Sequence, residues 1–302
     1  MAQNTPALPL PNSEQAYCNV AALEGGLLIL KSKLAIAGAA DDDKHVSPSL
    51  AFLLTHVRSG KRLLFDLGVC GLVPESPALT PPFKNIFIET FEPRVPQDVP
   101  ASLMAGGLSP SDITQICFSH VHFDHVGNPT LFPNARFLVG SEARALFEPG
   151  YPEDPNSPYM STLLPEGRTD FLDTKGADWK PIGPFPCALD YFNNGSLYIV
   201  DAPGHLLGHL NMLVRTSSDG GWIYLAGDSA HDWRLIPTYR DGEICMHHDK
   251  EQAAETIRKI AGLMKLPRVR VLLAHDNEWF DENRVKFKPE LEPQTLTAVF
   301  KV

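Results

Sequence analysis

Apolar and polar positions along the chain alternate in short blocks, and most of the blocks predict strands. Residues 27–30 (Leu-Leu-Ile-Leu) read as an early strand. Residues 50–57 and 62–66 flank the polar turn 58–61, which predicts a hairpin with a glycine turn. The apolar, partly β-branched run 113–118 reads as a strand, and 136–139 as another. Ser141 is placed to cap a short helix running to Phe147, with Glu142 and Arg144 in its first turn. Residues 197–201 form a further strand, and 210–214 and 222–225 a second hairpin across 217–221. Ala253, Ile257, Ile260, Ala261 and Met264 recur at helical spacing and predict an amphipathic helix over 249–264. A last strand spans 269–273.

Two long stretches lack periodicity. Residues 71–100 are rich in proline and aromatics, and 148–194 in proline, glycine and polar residues. Both read as loops, and loops of such length in a compact domain usually carry function or disorder. The strands fall into two sets mixed with helices, which predicts an α/β fold of two packed sheets with helices outside. Residues 1–20 read as a proline-rich tail and 21–302 as one domain.

Composition narrows the function. The 302 residues are 43% hydrophobic and 21% charged, which suits a folded globular chain. No apolar run approaches the roughly 18 residues of a membrane span. The first residues have neither a basic start nor an apolar signal core. The five cysteines are scattered, with no CxxC, so a reducing, cytoplasmic setting is expected and no disulfide framework. A formal net charge of −10 argues against nucleic acid as a partner. A small molecule is the expected partner, and a homodimer stays open.

The chemistry concentrates in Ser119-His-Val-His-Phe-Asp-His125, which sets three imidazoles and a carboxylate within six residues. Imidazole and carboxylate are good zinc ligands. Alternate residues of an extended chain share a face, so His120 and His122 can bind one ion while Asp124 and His125 reach a second. His205, Asp228 and His275 each follow a predicted strand and complete a set of five histidines and two aspartates. Two ions need about that supply when one carboxylate bridges.

This ordered set resembles the metallo-β-lactamase superfamily: His120-x-His122-x-Asp124-His125, Pro203-Gly-His205, Gly227-Asp228 and a terminal His275. The likeness runs from about Leu28 to Asp276 and implies a four-layer αββα sandwich with a dinuclear site at one edge of the sheets. By position, His120, His122 and His205 would hold the first zinc and Asp124, His125 and His275 the second, with Asp228 bridging. Iron, manganese or cobalt are alternatives to zinc. The resemblance also implies a metal-bridging hydroxide as nucleophile, and Asp124 as a proton shuttle to the leaving group.

Within the superfamily, His122 stands where the diiron flavoproteins carry Glu, and Asp228 where true β-lactamases carry Cys. Leu64-Phe-Asp66-Leu-Gly68, Pro203-Gly-His205-x-x-Gly208-His209 and His275-Asp276 are closer to the lactonases, which include N-acyl homoserine lactonases. Those carry Tyr three positions after the bridging Asp; here His231 stands there and is assigned as a second catalytic candidate. The expectation is hydrolysis of a lactone of a small, largely apolar xenobiotic or secondary metabolite. Alternatives are a lactam hydrolase, a glyoxalase II-like thioesterase, a mononuclear iron persulfide dioxygenase and a non-catalytic binding protein. Asp66 and His209 are expected to support the ligands without touching metal. Phe87, Trp233 and Tyr239 are candidates for an apolar substrate wall, with Phe83, Phe91, Tyr151 and Tyr159 nearby. His45 and His56 are assigned structural roles, and His247-His248 reads as a surface pair.

Overall fold

A computed structural model describes residues 7–236 and 246–283. The first sheet runs, in spatial order, through β1 (Cys18–Lys31), β2 (Lys44–His56), β3 (Arg62–Phe65), β4 (Gln115–Cys117), β5 (Arg136–Gly140) and β6 (Thr169–Leu172). The second holds β7 (Trp179–Ile182), β8 (Phe185–Asp190), β9 (Leu197–Asp201), β10 (Leu210–Arg215), β11 (Trp222–Leu225) and β12 (Val269–Leu272), in the order β12-β11-β10-β9-β8-β7. Helices α1 (Ser32–Ala35), α2 (Pro81–Phe91), α3 (Val99–Ala105), α4 (Phe123–Val126), α5 (Lys250–Leu263) and α6 (Asn277–Asn283) connect them. Both sheets are mixed: β3 to β6 pair in parallel, as do β11 and β12, and the remaining pairs are antiparallel.

Interior strands such as β3 and β11 read as nearly continuous apolar runs because both of their faces are buried. In β2, Leu50, Phe52 and Leu54 point between the sheets, while Ala51 and Leu53 point to the outer layer. Met212, Ile223 and Leu225 meet them from the second sheet. On the far side, Leu213 and Tyr224 pack under Ala253, Ile257, Ile260 and Leu263 of α5. Val99 and Leu103 of α3 cover the first sheet. The layers are therefore αββα, as the resemblance implied. Each fully buried Ile or Leu contributes about 1.5–3 kcal/mol.

The predicted hairpins, the strand 197–201 and the helix over 249–264 form as expected, with Asp249 accepting from Gln252 N at 3.0 Å as the cap of α5. Other expectations need correcting. Residues 71–100 contain the eleven-residue α2 and the start of α3. Prolines 81 and 82 occupy the first turn of α2, where their missing N–H groups cost nothing. Residues 148–194 hold three strands, whose prolines 181 and 186 lie on β7 and β8 toward the sheet edge. Ser141 opens a 3₁₀ stretch through Leu146 and caps nothing. The proposed tail ends before residue 20, since β1 starts at Cys18. Among the described residues no helix is long and apolar enough to cross a membrane.

Candidate metal centre

Five strand ends converge on one edge of the sandwich. Asp66 follows β3, His120 follows β4, His205 follows β9, Asp228 follows β11 and His275 follows β12. The turns are tied together by backbone hydrogen bonds: Leu210 N to Ser119 O (2.7 Å), Ala274 N to Gly227 O (3.1 Å) and Leu67 N to His125 O (2.7 Å). β2 anchors two of them from below, with Ser49 Oγ donating to the Asp124 carbonyl and Ser47 Oγ to the His275 carbonyl.

One group comprises His120, His122 and His205. His120 Nε2 lies 2.9 Å from His122 Nδ1 and 3.2 Å from His205 Nε2, and the last pair is 3.0 Å apart. A tetrahedral ion with zinc–nitrogen bonds of 2.0–2.1 Å would set its ligands about 3.3 Å apart, close to this triangle. The second group comprises Asp124, His125 and His275. Asp124 Oδ2 is 3.7 Å from His125 Nε2 and 3.4 Å from His275 Nε2. Asp228 stands between. Its Oδ1 faces His125 Nε2 (3.3 Å) and His275 Nε2 (3.4 Å). Its Oδ2 faces His205 Nε2 (3.5 Å) and His120 Nε2 (3.7 Å).

The remaining ring nitrogens fix tautomers. Ser119 Oγ donates to Asp66 Oδ2 at 2.7 Å, so it accepts from His120 Nδ1 at 2.9 Å. His125 Nδ1 pairs with Asp66 Oδ2 at 3.0 Å, and His275 Nδ1 donates to the Pro48 carbonyl at 2.7 Å. All three thereby turn Nε2 into the cleft. His209 Nδ1 donates to the Ala202 carbonyl (2.9 Å), and its Nε2 accepts from Asp228 N (3.2 Å). Asp66 and His209 therefore lie behind the donors and hold them, as expected of them.

Burial holds His120 and His205 well below the usual histidine range and brings His122 down to about 4, so all three are neutral donors at pH 7. At His125 and His275 burial also opposes charge, but the carboxylates of Asp228 and Asp124 overcome it. They raise His125 well above its ordinary value and push His275 up to about 10. Burial likewise disfavours ionised Asp228, yet His125, His275 and His231 hold it well below the carboxylate range. His125 Nε2 and Asp228 Oδ1 are buried without hydrogen-bond partners. Such orphaned donors, in a set of imidazoles and carboxylates, fit a divalent cation that displaces the protons.

A cavity of about 160 Å³ opens over these groups, walled by Phe87, Phe91, Phe123, Tyr159, Leu30 and Met246. Phe87 stacks on Phe123 at 5.4 Å. His231 reaches the same cavity, with Nε2 3.1 Å from Asp228 Oδ2 and its ring parallel to His275 at 5.8 Å. Trp233 does not line it: it borders a separate surface pocket shared with Met264, Val269 and Trp279, because the Asp232-capped turn carries it there. Tyr239 lies outside the described residues. The reading of His247 as a surface residue is also corrected: it is 8% exposed and packs on His205 and His231, whereas its neighbour His248 is exposed. Met246 and His247 carry no periodic signal in the sequence that would have found them.

A sequence profile of the Metallo-beta-lactamase superfamily matches residues 46–275. A Penicillium brevicompactum protein named cytochrome P450 monooxygenase mpaDE' is 35% identical over 199 residues, 62% of this chain and 22% of that protein. Gamma-lactamase MBL2 of Gibberella moniliformis is 37% identical over 140 residues, 45% of this chain and 58% of that one. The chain thus spans about a fifth of the length of the first relative and less than two thirds of the second. The structure of an N-acyl homoserine lactone hydrolase, with N-hexanoyl-L-homoserine bound at its catalytic metal center, superposes with a TM-score of 0.67. It covers 87% of this chain and 95% of its own at 19% identity, a likeness of fold.

Proposed function

The chain belongs to the metallo-beta-lactamase superfamily of hydrolases, and from that premise we propose that it is a dinuclear zinc enzyme that opens a small, uncharged, largely apolar lactone. The observation that carries this reading is the division of seven donors into two groups with Asp228 between them, beneath an apolar cleft. His120, His122 and His205 would hold one ion, and Asp124, His125 and His275 the other. Bound there, the ions would supply Lewis acidity and a nucleophile from water at neutral pH.

The protein's own side chains do the rest. Phe87, Phe91, Phe123 and Tyr159 exclude water and receive an apolar ring. His231 is set to donate a ring N–H to the substrate oxygen that gains charge. Asp124 Oδ2, at the cavity wall, can carry a proton to the departing oxygen. No Lys or Arg lines the cavity among the described residues, which disfavours the thioester of an acidic tripeptide. A cyclic amide is the second reading, favoured by the likeness to a gamma-lactamase. A single-iron dioxygenase or an inert binding protein would leave the second donor group without a task. The four described cysteines are unpaired, in keeping with a cytoplasmic setting.

Zinc-loaded protein, assayed against lactones, lactams and S-lactoylglutathione, tests the proposal. Lactone opening that disappears in His122→Ala is the expected result. Turnover of the thioester alone, or lactone turnover that survives His122→Ala, contradicts it.

A further inference from the structure

Beside the seven donors lies a second histidine cluster, in which His205 and His231 are joined by His247, a residue that the hydrolytic reading leaves unused. One ring nitrogen each of His205, His231 and His247 lies within 4.8 Å of the others. Ring centroids are 4.8 Å apart for His205 and His231, 5.2 Å for His205 and His247, and 5.4 Å for His231 and His247. The ring planes cross at 60°, 82° and 65°, so edges rather than faces turn to one another. All three side chains are more than nine-tenths buried. Five of their nitrogens have no hydrogen-bond partner: His205 Nδ1, and both nitrogens of His231 and of His247. Leaving that many buried polar atoms unpaired is costly unless something else binds them.

The backbone builds this pocket. His248 N donates to the His205 carbonyl at 3.0 Å, and Asp249 N to the Gly204 carbonyl at 2.9 Å. The loop that presents His205 therefore also fixes His247.

We propose that His205, His231 and His247 form an auxiliary seat for one borderline divalent cation, zinc or copper(II), beside the paired-ion cage. Imidazole-rich surroundings suit these ions. Asp228 Oδ2, 3.1 Å from His231 Nε2, adds a carboxylate at its edge. The inference rests on the dinuclear reading only because His205 is shared. Its Nε2 faces His120 and His122, and its buried Nδ1 has no partner, so it joins this seat by releasing the Nδ1 proton to solvent and bridging as an imidazolate. Sharing makes this seat the weakest of the three. Filling it withdraws His231 from the cleft, so excess metal lowers turnover.

Metal counting by equilibrium dialysis and plasma mass spectrometry tests the seat. Wild-type protein is expected to take up three zinc ions per chain, the third lost first to a weak chelator. His247→Ala and the polar His247→Asn are expected to stop at two, with the far-ultraviolet dichroism of the wild type. Copper(II) added after two zinc equivalents should show nitrogen hyperfine structure in its paramagnetic resonance, and His247→Asn should lose it. A wild-type count that stops at two overturns this seat and leaves the pair standing. An equal count in wild type and both variants also overturns it. A wild-type count below two contradicts the pair and the auxiliary seat together.

Discussion

His209 belongs to neither donor group, packing behind His120 and His205 at 5.3 and 5.6 Å, yet the position of Asp228 depends on it. Its Nε2 is the acceptor for Asp228 N, and its Nδ1 is held by the Ala202 carbonyl. Replacing it with Phe fills the space and leaves the Asp228 N–H without a partner. A loss of about 1–3 kcal/mol in stability is expected, with metal affinity about 10–100-fold weaker in a chelator competition. Acidity acts through the same buried rings. His209 and His122 are brought by burial to about 4, below the roughly 6.5 of an unfolded histidine, so the unfolded chain takes their protons first. Stability of the metal-free protein should therefore fall as pH drops from about 6.5 to about 4. His275 works in the opposite sense: burial opposes its charge, but the carboxylates prevail and raise it to about 10. Its contribution is complete below about 6.5 and is lost as pH rises toward 10. Urea midpoints of metal-free protein should thus decline on both sides of about pH 6.5. A midpoint that keeps rising into alkali would show that the charged His275 does not support the fold. The seven donors were legible as residues because each follows a strand or continues the His-x-His-x-Asp-His run. His247 was not, because its burial comes from the Gly204 loop rather than from its neighbours in sequence.

The elements around the site are held by close contacts that a small change would break. Gly204 has φ +130°, and a Cβ there would lie 2.2 Å from Ala253 N at the start of α5. Gly204→Ala should push the His205 loop and α5 apart. We expect about 1–3 kcal/mol of lost stability by urea denaturation, together with weakened metal binding. Unchanged metal affinity would mean that the loop does not position His205. α2 is different in kind, since none of its residues is buried. It is held at the cleft partly by Phe87 and Phe91, which meet Phe123 at 5.4 Å and 5.7 Å. Phe87→Ala should cost about 1 kcal/mol or less in stability. Its larger effect should be on substrate: KM should rise several-fold with kcat nearly kept, which steady-state kinetics can check. α2 was hidden in the sequence by its opening prolines, and β6 to β8 by polar, proline-bearing stretches that lack a clean alternation. The strands of the sandwich interior were legible because burial on both faces leaves them almost wholly apolar.

Over the whole molecule, two sheets serve to bring distant turns to one edge, and the outer layers supply the wall above it. The chain carries a formal net charge of −10, and no Lys or Arg side chain lines the cleft among the described residues. Uncharged lactones should therefore be opened more readily than analogues bearing a carboxylate, by tenfold or more in kcat/KM. Equal rates for the two would remove the electrostatic part of the substrate assignment. The layer order and the position of the site at the strand ends were readable in the sequence. The shape of the cavity was not, because long-range packing of α2 and of the segment at Met246 creates it. Two ions are expected to sit on either side of Asp228, and anomalous diffraction at the zinc edge would locate them. Crystals of protein loaded with two equivalents of zinc should show one peak among His120, His122 and His205 and a second among Asp124, His125 and His275. No peak in the cleft, or a single peak that leaves the second group empty, would contradict it.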